Sequence, residues 1–125
     1  MRETVSTEDA PAAVGAYSQA TATDGLVFTA GQVALTPDGE LLDDAPVDVQ
    51  TEQALENVAA VLEAAESSPG DVLKTTVYLA DIDDYDRVNE AYAAFFEGDP
   101  PARSAVGVDA LPAGMAVEIE AVATR

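Results

Sequence analysis

Arg103, Glu118 and Glu120 are the residues of this chain whose types and spacing could support catalysis on a small anion. Arg103 lies in Pro100-Pro101-Ala102-Arg103-Ser104-Ala105-Val106, where two prolines restrict the approaching backbone and reduce the entropy lost on fixing its side chain. A guanidinium is always charged and offers a planar fork that meets a carboxylate through two parallel hydrogen bonds. The same fork would serve equally in a salt bridge to one of the chain's many acids. Glu118 and Glu120 lie in Val117-Glu118-Ile119-Glu120-Ala121, whose alternation puts both carboxylates on one strand face and the apolar residues on the other. Such an acidic face can simply be solvated. Partly buried at a subunit boundary, it would instead raise a carboxyl pKa and poise the group for proton transfer, an effect that a nearby Arg103 would oppose.

The rest of the inventory narrows the chemistry. Among 125 residues there is no Cys and no His, which excludes disulfides, thiolate nucleophiles, imidazole acid–base work and His- or Cys-based metal sites. Proton transfer falls to carboxylates, Tyr, Lys74 and water. Five cationic side chains face 24 acidic ones, for a formal net charge of -19. Besides Arg103 the cations are Arg2 and Arg125 near the ends, Lys74 in a strand and Arg87 on a helix. No basic patch can be assembled from these, so nucleic acid is not an expected partner. At 48% hydrophobic residues the chain is a folded one, and its dispersed acids resemble the surfaces of proteins that work in molar salt. No apolar run is long enough to span a bilayer and no signal-peptide pattern opens the chain, so a cytoplasmic location is the expectation.

The elements that must position these residues follow from periodicity, and residues 1–125 are expected to form one domain. A short strand is expected within Glu3–Val14. Tyr17–Thr23 and Leu26–Gly31 read as strands joined at Asp24-Gly25, a hairpin signal, with Val27 opposite Leu26 and Phe28. Thr36-Pro37-Asp38-Gly39 reads as a turn. Leu55, Val58, Ala59 and Leu62 fall at helical spacing and predict a helix over Asp48–Ala65, with Glu52, Glu56, Glu63 and Glu66 on wetter positions. Val72–Ala80 reads as a strand with Leu73, Thr75, Val77 and Leu79 on one face. A second helix is expected over Asp83–Glu97, capped by Asp83 and stapled by Ile82, with Tyr85, Val88, Tyr92 and Phe95 near helical spacing. Strands over Ser104–Asp109 and Met115–Thr124, joined at Leu111-Pro112-Ala113-Gly114, complete the chain. The order predicts an α+β fold, a sheet layered by two helices on one face. The apolar groups left on the other face point to packing between subunits, with any cleft at their boundary.

Several weaker candidates lie elsewhere. Gly15-Ala16-Tyr17-Ser18-Gln19-Ala20 is a glycine-led entry with a phenol, Gly31 at a strand end can mark a close backbone approach, and Asn89 sits on the second helix. Taken together with Lys74-Thr75-Thr76-Val77-Tyr78-Leu79, Val88-Asn89-Glu90-Ala91-Tyr92, Pro100-Pro101-Ala102-Arg103-Ser104 and Val117-Glu118-Ile119-Glu120-Ala121, these segments resemble the RidA (YjgF) family in order and spacing, over essentially the whole chain. The resemblance implies a chorismate-mutase-like fold, a homotrimer with clefts between subunits, and cofactor-free, metal-free hydrolysis of enamine and imine intermediates to 2-keto acids and ammonia. It implies that Arg103 holds the substrate carboxylate and that Glu118 handles water and protons. Tyr17, Gly31, Asn89 and Ala105 fall on cleft positions. Ala30 stands where the family often has Ser, which removes one hydroxyl from the cleft, and Ala105 where it often has Cys. A non-catalytic trimer that binds small carboxylates, or a regulatory or chaperone-like protein of the same fold, is the alternative.

Overall fold

In the computed structural model, which describes residues 1–125, six strands form one sheet and two helices lie across one of its faces. The elements are β1 (Glu3–Val5), β2 (Ala20–Ala22), β3 (Leu26–Thr29), α1 (Val47–Ala64), β4 (Val72–Leu79), α2 (Tyr85–Phe95), β5 (Ala102–Gly107) and β6 (Val117–Thr124). Short 3-10 turns at Pro69–Asp71, Ile82–Asp84 and Pro112–Gly114 lead into β4, α2 and β6. The strand order is β1-β2-β3-β6-β4-β5, antiparallel except where β5 runs parallel to β4. A parallel neighbour needs a crossover, and α2 supplies it. This is the α+β architecture the element order implies. β5 and β6, although consecutive, are not neighbours, because β4 lies between them.

Alternation decides which residues face the helices. Val117, Ile119, Ala121 and Ala123 of β6, Val27 of β3, and Thr75, Val77 and Leu79 of β4 are buried under α1 and α2. Leu55, Leu62, Leu79, Met115 and Ile119 are the largest apolar side chains fully withdrawn from water, each stabilising the fold by about 1.5–3 kcal/mol relative to exposure. The other sheet face carries Phe28, Val122, Val106 and Tyr78 beside Glu118 and Glu120, and Phe28 and Val106 remain 46% and 41% exposed.

Four local expectations are corrected. Tyr17 does not enter a strand: Gly15 at φ 122 turns the chain, and β2 begins only at Ala20. Leu73 does not share the inward face of Thr75, Val77 and Leu79. A bulge between Val72 and Lys74 inserts an extra residue, after which Leu73 is 50% exposed. Asp83 does not cap the second helix: α2 starts after Asp84 with no side-chain cap, while Asp81 caps the 3-10 turn before it, accepting from the Asp83 N–H at 2.9 Å, and Ile82 is exposed against Gly107 rather than stapled into the core. Ala59 is only partly buried, whereas the polar Gln50, Thr51 and Asn57 of α1 are fully enclosed.

Those enclosed amides fasten the long segment between β3 and α1, which has little regular structure to satisfy its own backbone. Asn57 donates to the carbonyls of Val33 and Leu35, and Gln50 donates to those of Asp43 and Ala45 while accepting from the Ala116 N–H. Gln19 does the same for the N-terminal segment, donating to the carbonyls of Thr7 and Pro11 and accepting from the Thr7 N–H. At the end of α1, Glu66 takes the left-handed conformation at φ 63, and the N–H groups of Glu66 and Ser67 cap the carbonyls of Glu63 and Leu62. No helix is long and apolar enough to cross a membrane.

Candidate active site

Arg103 stands on β5 in register with Thr75 of β4, on the side of the sheet that faces α2. Tyr85, Asn89 and Tyr92 fall four and three residues apart on α2 and so share the helix face that looks onto it. The guanidinium carbon lies 4.6 Å from the centre of the Tyr92 ring and 5.5 Å from that of Tyr85, a cation held against two aromatic faces. Nη2 donates to the Tyr85 hydroxyl at 2.6 Å. The Tyr92 hydroxyl is paired with Thr75 at 2.5 Å. Burial raises the Tyr92 pKa, opposed by the Thr75 hydrogen bond and the Arg103 charge, which keeps the ring a neutral surface under the guanidinium.

Arg103 forms no ion pair within the chain. The two that exist are Arg87 with Asp48, across α1 and α2, and Arg125 with Glu3. In a chain with 24 acids, a guanidinium that meets none of them is available to an external anion. Beside it lies a cleft of about 360 Å³ bounded by Asn89, Tyr92, Pro100, Pro101 and Arg103. Ala105, two residues further along β5, lines a small gap with Val77, Val88 and Asn89.

Glu118 belongs to a different part of the surface. It stands on β6 opposite Tyr78 of β4, on the face away from the helices. The segment after β3 is drawn against β6 by a paired exchange between Gln32 and Ile119, at 2.8 and 2.9 Å. This puts Gly31 directly under the Glu118 side chain. A Cβ at position 31 would lie 2.8 Å from the Glu118 carboxyl carbon, so the glycine is what lets the carboxylate lie there. Tyr17, Ala30, Gly31, Leu41, Pro112 and Glu118 line a cleft of about 630 Å³. The Tyr17 hydroxyl accepts from the Val14 N–H at 3.3 Å, and the residue is 53% exposed.

Glu118 makes no hydrogen bond within the chain, whereas Glu120 accepts from the Tyr78 hydroxyl at 2.7 Å. Burial first, and the charge of Glu120 second, push the Glu118 pKa above the ordinary carboxylate value. Tyr78 is also raised, by its bond to Glu120 and then by burial and the two carboxylates, so it stays a donor. A carboxyl of this kind can both accept a proton from water and return one.

The six site residues read from the sequence therefore fall into two groups within one chain. Arg103, Asn89 and Ala105 gather under α2, and Tyr17, Gly31 and Glu118 gather beyond the opposite sheet face. Sequence reasoning missed Tyr85 and Tyr92 as the rings against Arg103, Thr75 as the partner of the Tyr92 hydroxyl, and Tyr78 as the donor to Glu120. Their seven-residue spacing puts Tyr85 and Tyr92 on one helix face, but nothing in that spacing says that a cation from β5 lies against them.

Residues 7–125 match the model of the family described as Endoribonuclease L-PSP. The chain belongs to this family, the L-PSP/RidA family. A rat member, named 2-iminobutanoate/2-iminopropanoate deaminase, is 45% identical over 125 residues, covering all of this chain and 91% of the rat protein. Among solved structures, the yeast protein YEO7 superposes with a TM-score of 0.96 at 40% identity, covering 100% of this chain and 99% of its own. The Escherichia coli protein TdcF, solved with bound serine, superposes with a TM-score of 0.94 at 40% identity, with 98% of each chain covered.

Proposed function

We propose that this protein hydrolyses reactive 2-enamino and 2-imino acids, such as 2-aminoacrylate, 2-iminopropionate and 2-iminobutanoate, to 2-keto acids and ammonia. Its clefts lie between the subunits of a homotrimer, and it needs neither a metal nor an organic cofactor. The observation that carries this reading is an Arg103 guanidinium, set against two tyrosine rings and unpaired with any carboxylate, in a chain 45% identical over 125 residues to a protein named for this deamination.

The reaction needs three things from the protein: a fixed carboxylate, a placed water and a moved proton. Arg103 would hold the carboxylate by two charge-assisted hydrogen bonds, worth about 3 kcal/mol or more together. An enamine first takes a proton on carbon to become the iminium ion, the protonated form of the imine. Water then adds to the iminium carbon, and the Glu118 carboxylate takes one water proton, leaving a neutral adduct that carries a hydroxyl and an amino group on one carbon. Glu118 returns that proton to the amino nitrogen, and as the carbon–nitrogen bond breaks the hydroxyl gives up its own proton to Glu118, leaving the keto group and ammonia, which carries the remaining proton away as ammonium. Such acid–base assistance contributes about 10²–10⁴-fold. The imine is already electrophilic, so no covalent nucleophile is required.

Because Arg103 and Glu118 face opposite sides of one sheet, a complete cleft would take Arg103, Asn89 and Ala105 from one subunit and Tyr17, Gly31 and Glu118 from its neighbour. The partly apolar open sheet face supports such an assembly. The serine bound to TdcF shows that a protein of this fold accommodates a small amino acid. The endoribonuclease name of the family model finds little support in this chain, whose net charge of -19 repels a phosphate backbone. A negative surface this large supports work in concentrated salt, and cytoplasmic residence fits such a surface.

The test is to generate 2-aminoacrylate in place with a dehydratase, in high salt, and to follow keto-acid and ammonia release. The expected outcome is acceleration over the spontaneous rate, reduced about 10²-fold in kcat/KM by Arg103→Ala. Release no faster than the spontaneous rate, with keto acid still bound, would leave the non-catalytic reading in its place, with Ala30 as the position to restore to Ser.

A further inference from the structure

One polar contact at the Arg103 cleft has no part in the chemistry above. A guanidinium carries five N–H groups in one plane, and they form two forked edges. One edge uses an N–H from each of Nη1 and Nη2; the other uses Nε–H and the second N–H of Nη2. Nη2 belongs to both. The Tyr85 hydroxyl accepts from Nη2 at 2.6 Å and therefore occupies one of its two N–H groups, leaving Nη2 a single N–H for a ligand. The guanidinium carbon also lies over the rings of Tyr92 and Tyr85, 4.6 and 5.5 Å from their centres.

We propose that Tyr85 is a positioning residue that sets carboxylate specificity: by holding one N–H of Arg103 Nη2 it leaves one forked edge of the guanidinium open and fixes the direction from which the substrate carboxylate enters. The inference rests on the reading of Arg103 as the carboxylate anchor and deepens it. Tyr85 suits the role because it is the first residue of α2, held by the turn that Asp81 caps, and the residue stays 37% exposed. With one edge occupied, a dicarboxylate cannot bridge both edges of the guanidinium. The cleft then favours small 2-imino monocarboxylates over 2-imino dicarboxylates.

Tyr85→Phe removes the hydroxyl and keeps the ring, so the packing of α2 is retained. Calorimetry with 2-oxobutanoate as product-side probe, alongside steady-state kinetics, separates the outcomes. Expected are a Kd for 2-oxobutanoate and a KM for the imino acid that rise together by about 3–10-fold, the loss of one positioning hydrogen bond, with kcat changed by less than about twofold. The preference for 2-oxobutanoate over 2-oxosuccinate should narrow in the variant. A merely structural role would lower kcat and the melting temperature together and leave the preference intact, which would overturn the proposal. Unchanged or tighter 2-oxobutanoate binding would overturn it too, since the hydroxyl would then be idle or a competitor. If the unmodified protein binds no keto acid at all, the carboxylate anchor itself fails, a result distinct from a variant that binds as well as its parent.

Discussion

Arg103 and Glu118 project from opposite faces of the same sheet: Arg103 stands in register with Thr75, and Glu118 with Tyr78, three residues further along β4. Successive strand residues alternate between faces, so an odd separation along β4 places the two partners on opposite sides. Arg103 is thereby turned under α2, and Glu118 is turned away from both helices. If Arg103 binds the anion and Glu118 handles the proton, as proposed above, a working site would draw one of them from each of two chains packed together.

This division makes a direct prediction for mixed assemblies. Chains carrying Arg103→Ala and chains carrying Glu118→Gln should each be nearly inactive alone. Unfolded together in equal amounts and reassembled, they should regain activity, because about one cleft in four receives Arg103 and Glu118 from two different variants. The measurement is specific activity after co-refolding, against each variant refolded alone. No recovery from a mixture shown by mass to contain hybrid trimers would place both residues of a working site in one chain.

Glu118 should work against stability at the pH where it works for the reaction. Burial and Glu120 hold its proton in the folded chain at a pH where the unfolded chain has already lost it. The folded state then binds more protons than the unfolded state, so this group's contribution to stability falls as pH rises from the ordinary Glu range through the raised value. Glu118→Gln is expected to lose about 10²–10⁴-fold in kcat. Its melting temperature, relative to the unmodified protein, should climb as pH rises above the ordinary Glu range. A difference in melting temperature that stays flat with pH would remove the assigned environment of Glu118.

Gly31→Ala tests how the carboxylate is seated. The added Cβ meets the end of the Glu118 side chain rather than backbone, so Glu118 can swing aside and the fold survives. We expect a drop in activity approaching that of Glu118→Gln, with stability reduced by about 1 kcal/mol or less. In a background already carrying Glu118→Ala, the same Gly31→Ala change should cost nothing further, because the group it displaces is gone. An equal cost in both backgrounds, read by a double-mutant cycle, would show that Gly31 acts independently of Glu118.

The surface makes a prediction of its own. Only Asp48 and Glu3 of the 24 acids find an ion-pair partner, so the rest repel one another through water. Raising KCl from about 0.01 M to about 1 M shortens the screening length from about 30 Å to about 3 Å. The melting temperature should rise by about 4 °C or more, the effect of about 1 kcal/mol of relieved repulsion in a domain of this size. A melting temperature independent of salt would mean that the acids are already spaced beyond each other's reach.

The sequence by itself determined the two helices, the inward and outward residues of β6, the shortage of cations that makes Arg103 conspicuous, and the family, since each is written in local spacing or in ordered motifs. Absent His and Cys likewise fixed what chemistry was left. Only the tertiary structure decided that Gly15 turns Tyr17 out of β2, that a bulge exposes Leu73, that Gly31 lies under Glu118, and that Tyr85 and Tyr92 hold Arg103. Periodicity reports which residues of one element share a face. It carries nothing about which strands pair or in what register, and the exchange between Gln32 and Ile119 and the pairing of Thr75 with Arg103 are set by distant segments packing over a common core. The same long-range register put Arg103 and Glu118, each legible alone, on opposite sides of the sheet.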